Sequence, residues 1–150
     1  GVAAPVFELV GGDRLVESTP LGIVGTVVAI IGIVTTVVAQ RDMGSSWRVG
    51  VDHDERTEFV STGAFAIVRN PIFTTMAITG VGFALMVPNA VAVVGVVALL
   101  VALQLQVRVV EEPYLTELHH DTYSAYVARV GRFLPGIGRY EERARSGANE

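Results

Sequence analysis

"NPIFTTMAITGVGFALMVPNAVAVVGVVALLVALQLQV", residues 70–107, runs for 38 residues without an Asp, Glu, Lys, Arg or His. A helix rises 1.5 Å per residue and the hydrocarbon core of a bilayer is about 30 Å thick, so about 20 apolar residues cross it once. A stretch of this length goes in and comes back. Pro88 and Asn89 stand near its middle, and a Pro-Asn pair is a turn signal where a helix would otherwise continue. The stretch therefore reads as a transmembrane helical hairpin.

The surrounding chain agrees. Of 150 residues, 51% are hydrophobic and 17% charged, which lies outside the usual range for a soluble domain. Residues 21–39, "LGIVGTVVAIIGIVTTVVA", form a second uncharged stretch of 19 residues, enough for one span. All 11 basic residues are arginine, and only Arg14 precedes that span. The other arginines flank the hairpin, at 41–69 and 108–145, so the positive-inside rule makes that face cytoplasmic. The absence of cysteine excludes disulfides and zinc-thiolate sites. "GVAAPVFELV", at the start, reads as the tail of an apolar helix. The expected fold is all-α, an integral membrane helical bundle with a transmembrane hairpin and a cytoplasmic amphipathic C-terminal cap. One domain covers residues 1–150: a remnant of an N-terminal span plus loop (1–20), a span (21–39), a cytoplasmic loop (40–69), the hairpin (70–107) and the cap (108–150).

Chemistry is expected at the cytoplasmic lip. The loop is longer than joining two helices requires, and such loops tend to be functional or disordered. Trp47, Val49, Val51, Phe59, Val60 and Phe65 give it anchors, which favours order at the interface. In the cap, Tyr114, Leu115, Leu118, Tyr123, Tyr126, Val127 and Val130 recur at helical spacing in a polar segment, predicting one or two short amphipathic helices over the bundle. A hairpin that leaves after Arg69 and returns at Arg108 brings Arg69 and Asn70 near Glu111 and Glu112. The result is a pocket polar on one wall and open to lipid on the other.

These pieces, "RNPIF" at 69–73, the hairpin, Glu111 and Glu112, Tyr123 and Tyr126, and "RFLP" at 132–135, resemble the isoprenylcysteine carboxyl methyltransferase family and the related phospholipid methyltransferases. "GSSWRVGVD" and "EFVSTGAF" upstream resemble bacterial members, so the likeness covers roughly residues 40–138. The resemblance implies a membrane enzyme, in a bacterial plasma membrane, that binds S-adenosylmethionine at the cytoplasmic face. It would methylate a lipid-like or lipid-attached acceptor arriving from the bilayer. Carried over, the cofactor site comprises Arg69, Asn70, Pro71, Phe73, Glu111 and Glu112, closed by Tyr123, Tyr126 and Arg132, with Gly80 and Gly82 as a possible Gly-x-Gly element. Arg69 and Glu112 are the catalytic candidates. Asn70 stands where His is commoner, Phe73 where Tyr is commoner, and His120 where Gly is frequent; a mechanism that uses the histidine as a base is not open to this chain.

Physical chemistry fits the same residues to the cofactor. Arg69 suits a carboxylate through its fork of donors, Glu111 or Glu112 suits ribose hydroxyls or an ammonium, and aromatic rings suit adenine or a sulfonium. A carboxylate acceptor needs no base at neutral pH, whereas an amine acceptor would pass its proton to a carboxylate such as Glu112. Plainer readings stand beside these. Arg69 can snorkel to the interface, Glu111 and Glu112 can open a helix, and Gly22, Gly25, Gly32, Gly80 and Gly82 can serve close helix packing. Trp47 and Tyr140 read as interface anchors. His53, Asp54 and Glu55, like His119 and His120, lack the i, i+4 pairing of a zinc-binding helix and read as solvated. Two other functions remain open: a non-catalytic membrane protein that binds a ligand or partner, and a membrane reductase of similar architecture using a nicotinamide cofactor.

Overall fold

The computed structural model describes residues 2–9, 12–43 and 60–139. In chain order they form α1 (Ala3–Leu9), α2 (Thr19–Met43), a single 3-10 turn (Gly63–Ala66), α3 (Pro71–Met86), α4 (Ala90–Leu105), a π-helical turn (Gln106–Glu111) and α5 (Glu112–Arg129). The only strand-like pairing among the described residues is an isolated parallel bridge between Val68 and Gly131. Trp47, His53, Asp54, Glu55 and Tyr140 lie outside the described residues, as do most of the proposed loop anchors and the side chains of His119 and His120.

Proline sets where α3 begins. Pro71 is its first residue, a position where the missing N–H is no loss and the fixed φ is already helical. The hairpin turns at Pro88 and Asn89, where the buried Asn89 does two jobs. Its Oδ1 accepts from the Ala92 N–H at 2.9 Å, capping α4, and its Nδ2 donates to the Ala4 carbonyl at 3.0 Å, holding α1. The Leu15 N–H adds a bond to the Pro88 carbonyl at 2.7 Å. Asn89→Ala is expected to cost about 1–2 kcal/mol, read as a lower unfolding temperature in detergent, because a cap and a buried amide partner are lost together. Asn89→Ser, which keeps a capping oxygen, should recover part of that loss.

Helix α3 packs against both α2 and α4. Contact with α2 is made backbone to backbone. A Cβ on Gly82 would lie 2.5 Å from the Ala29 nitrogen, and one on Gly25 would lie 2.6 Å from the Met86 nitrogen. Small residues permit this approach inside a membrane, where van der Waals packing and interhelical hydrogen bonds hold helices together. One such bond is present: the Thr36 hydroxyl meets the Thr75 hydroxyl at 2.8 Å. Gly80 instead faces the Leu99 side chain of α4.

Both α2 and the continuous helix Ala90–Leu118 are long and apolar enough to cross a membrane. The second departs from the expectation that the hairpin ends at 107 and a separate cap begins at 108. Pro113 explains the continuity. A proline in a regular helix loses one hydrogen bond and clashes with the carbonyl four residues back. Here the preceding turn is widened, with the Glu112 N–H donating to the Val107 carbonyl five residues earlier, so the helix absorbs the proline without stopping. In α5, Tyr123, Tyr126 and Val127 are buried in one cluster with Leu115 and Val130 against them, while Thr116, Glu117, Ala125 and Arg129 face outward. It is a one-faced helix that continues directly from the π-helical turn.

Candidate active site at the hairpin entrance

Three chain segments meet where α3 begins. Asp42, in the last turn of α2, accepts from the Ala64 N–H at 2.8 Å and so fixes the 3-10 turn. The Phe65 carbonyl of that turn accepts the Tyr126 hydroxyl at 2.6 Å, tying it to α5. Just beyond, the chain pairs with the segment after α5. The Arg69 N–H donates to the Gly131 carbonyl at 2.8 Å, and the Asn70 N–H and Nδ2 both donate to the Arg132 carbonyl, at 3.1 and 3.2 Å. The Thr74 hydroxyl lies 2.9 Å from the Phe133 carbonyl.

This framework brings two arginines onto one carboxylate. Arg69 Nη1 donates to Glu112 Oε1 at 2.9 Å, while Arg132 grips Glu112 with Nε on Oε1 at 2.7 Å and Nη2 on Oε2 at 2.8 Å. Arg69 Nη2 donates to the Gly138 carbonyl at 2.5 Å. The arginine side chains are only 3% and 7% exposed and that of Glu112 18%, so none of the three charges could stay buried without the others. Their sum is one positive charge. The bidentate geometry is the stronger, more directional form of the pair.

Tyr123 and Tyr126 pack beside the clamp with ring centroids 6.3 Å apart. Burial raises both hydroxyl pKa values; for Tyr123 the neighbouring Arg69 opposes the rise, and Tyr126 is pushed up to about 12 from an ordinary 10.0. The folded state therefore holds the Tyr126 proton more tightly than the unfolded chain does. That contribution is complete below pH 10.0 and is lost as pH climbs toward 12. Tyr126→Phe should remove the last tyrosinate step of an alkaline absorbance titration. It should also cost about 1 kcal/mol at neutral pH, through loss of the bond to Phe65.

Of the residues singled out in the sequence, Arg69, Asn70, Glu112, Tyr123, Tyr126 and Arg132 are brought together, and Pro71 is buried at the head of α3. Phe73 and Glu111 flank the cluster half-buried. Gly80 and Gly82 are elsewhere, about 15 Å along the α3 axis from Pro71 and turned to neighbouring helices. The Arg69 fork, expected to face a ligand carboxylate, here holds Glu112 and the Gly138 carbonyl. Sequence reasoning passed over Asp42, Thr74, Gly131 and Gly138. The last two bracket "RFLPGI", and their placing between arginines was the available signal.

Fold and site together define an all-α integral membrane protein that gathers arginine, carboxylate and tyrosine side chains where a helical hairpin enters the bilayer. A family model described as phospholipid methyltransferase matches residues 21–122, more than half of the chain, and the chain belongs to that family. The match includes Arg69, Asn70, Glu111 and Glu112 and stops before Tyr123, Tyr126 and Arg132. Among solved structures the chain is similar to the eukaryotic intramembrane Ras methyltransferase, isoprenylcysteine carboxyl methyltransferase, with a TM-score of 0.71 and 22% identity. The likeness, which is one of fold, covers 81% of this chain and 44% of that one, so the chain spans under half the length of its structural relative. No curated protein matches it.

Proposed function

We propose that this chain is an S-adenosylmethionine-dependent methyltransferase acting on a lipid-like or lipid-attached acceptor that reaches the site from within the bilayer. The observation that carries the reading is the Arg69–Glu112–Arg132 clamp, built at the mouth of an apolar hairpin. Its charge suits the cofactor. Two guanidinium groups on one carboxylate leave a net positive charge that attracts a carboxylate, Glu111 beside it suits an ammonium or ribose hydroxyl, and the half-buried Phe73 ring suits adenine or a cation. When bound, S-adenosylmethionine supplies a methyl group already activated on sulfonium. The chain then has to align, hold charge and exclude water, and good alignment alone contributes roughly 7–11 kcal/mol to such a displacement.

The geometry refines individual roles. Both Glu112 oxygens are committed to arginine donors, so Glu112 anchors the site. Half-buried Glu111, one residue earlier in the π-helical turn, is better placed to take a proton should the acceptor be an amine. Arg69 contributes its charge and holds the Gly138 carbonyl, and Asn70 holds the 131–133 segment against α3. The arginine-rich end, which carries the clamp, faces the cytoplasm on the positive-inside rule, whereas Arg14 lies at the hairpin-turn end beside Leu15.

Transfer of labelled methyl from S-adenosylmethionine to material extractable into organic solvent, by protein reconstituted with a lipid extract, tests the reading. Methyl incorporation that reduced nicotinamide dinucleotide does not suppress supports it. Cofactor binding without transfer to any lipid fraction would favour a binding protein, and competition by the nicotinamide cofactor would favour the reductase reading.

A further inference from the structure

The segment that completes the clamp also carries an apolar tip that the protein does not cover. Between Arg132 and Arg139 the chain folds back on itself: the Arg132 N–H donates to the Ile137 carbonyl at 2.8 Å and the Ile137 N–H to the Leu134 carbonyl at 3.1 Å. Gly136, with φ of +76°, makes the reversal possible. The tight turn 134–137 holds "LPGI" outward, with Leu134 54% and Ile137 63% exposed. These backbone hydrogen bonds brace the turn with its two apolar side chains outward.

Its location says what covers it. Phe133, next to Leu134, is joined through its carbonyl to Thr74 in the first turn of α3, so the tip stands beside the point where α3 starts its apolar course. Arg129 and Arg139 lie exposed on either side. An apolar tip with basic neighbours at the membrane boundary is the arrangement of an interfacial anchor, in which the apolar part sinks into the headgroup and acyl boundary and the arginines stay with phosphates.

We infer that the 134–137 turn inserts into the interface of the same bilayer that the chain spans, and that this contact seats the segment carrying Arg132. The partner is lipid. It differs from the acceptor lipid of the proposed reaction in being a surface, with no chemistry done on it.

The chain has no cysteine, so single labels are unambiguous. Leu134→Cys and Ile137→Cys, each carrying a nitroxide and reconstituted in vesicles of phosphatidylcholine with phosphatidylglycerol, are compared with Ala128→Cys on the exposed face of α5. Both tip labels should be relaxed more by oxygen, which concentrates in lipid, than by a water-soluble nickel complex. The Ala128 label should show the reverse. Because Leu134 and Ile137 are more than half exposed, either label should be tolerated, and two positions guard against one misfolded variant. Tip labels that follow the Ala128 pattern in protein retaining its helical ellipticity would overturn the inference. Covering by another protein predicts that same water-exposed result in pure lipid vesicles.

Discussion

Glu112→Ala should destabilise the protein by roughly 3–5 kcal/mol, because it strips the counter-charge from two arginines at once. Arg69 and Arg132 are almost wholly buried, and Glu112 receives one hydrogen bond from the first and two from the second. The 18% exposure of Glu112 lets water relieve part of the charge, placing the loss toward the lower end of that range. Damage should be local before it is global. Hydrogen exchange should quicken at Arg69, Asn70, Arg132 and Ile137, whose amides pin the returning segment, and stay slow in the α2–α3 contact. Glu112→Gln keeps acceptor geometry on one oxygen and should fall between wild type and alanine. Arg132→Lys should behave more like a loss than a conservative change, since an ammonium cannot reproduce the paired Nε and Nη2 contacts. An alanine variant as stable as wild type would mean that the clamp is held by something other than charge.

Gly82→Val is the second large effect. The added Cβ would stand 2.5 Å from the Ala29 nitrogen and 2.8 Å from its Cα, and backbone atoms cannot swing aside as a flexible side chain would. Overpacking typically costs 1–3 kcal/mol, and a clash against backbone belongs at or above the ~3 kcal/mol end. Helices α2 and α3 would have to separate, breaking the Thr36 to Thr75 bond. Gly22→Val and Gly95→Val supply the comparison, because a Cβ at either position meets nothing within 4 Å. Their cost should be slight. The expected readout is a lower unfolding temperature in detergent and lost resistance to unfolding by sodium dodecyl sulfate for Gly82→Val alone of the three.

The hairpin was legible because its signals are local. Pro71 starts one helix, Pro88 and Asn89 break the run, and uncharged length does the rest. Arg69 could be placed near Glu112 on topology alone. What the sequence hid depends on backbone registers that composition does not carry. Arg108, Glu111, Glu112 and Pro113 look like the end of a membrane helix, yet a π-helical turn absorbs the proline and the helix runs on. Arg132 was named for its place in "RFLP", but its bidentate hold on Glu112 requires the Val68 to Gly131 bridge, a contact between residues far apart in sequence. The glycines illustrate the opposite problem. Gly80 and Gly82 match a spacing found at cofactor sites, and the sequence offered close helix packing beside that reading without saying which glycine meets which neighbour: Gly82 meets Ala29, Gly25 meets Met86 and Gly82, and Gly22 meets nothing within 4 Å.

Calorimetric titration with S-adenosylhomocysteine, the demethylated product, bears most directly on the claim that the clamp marks a cofactor site. Wild-type protein in detergent should bind it saturably, and Arg69→Ala and Glu111→Gln should each lose most of that binding while keeping their helical ellipticity. No binding by folded wild-type protein, or undiminished binding by both variants, would contradict the account.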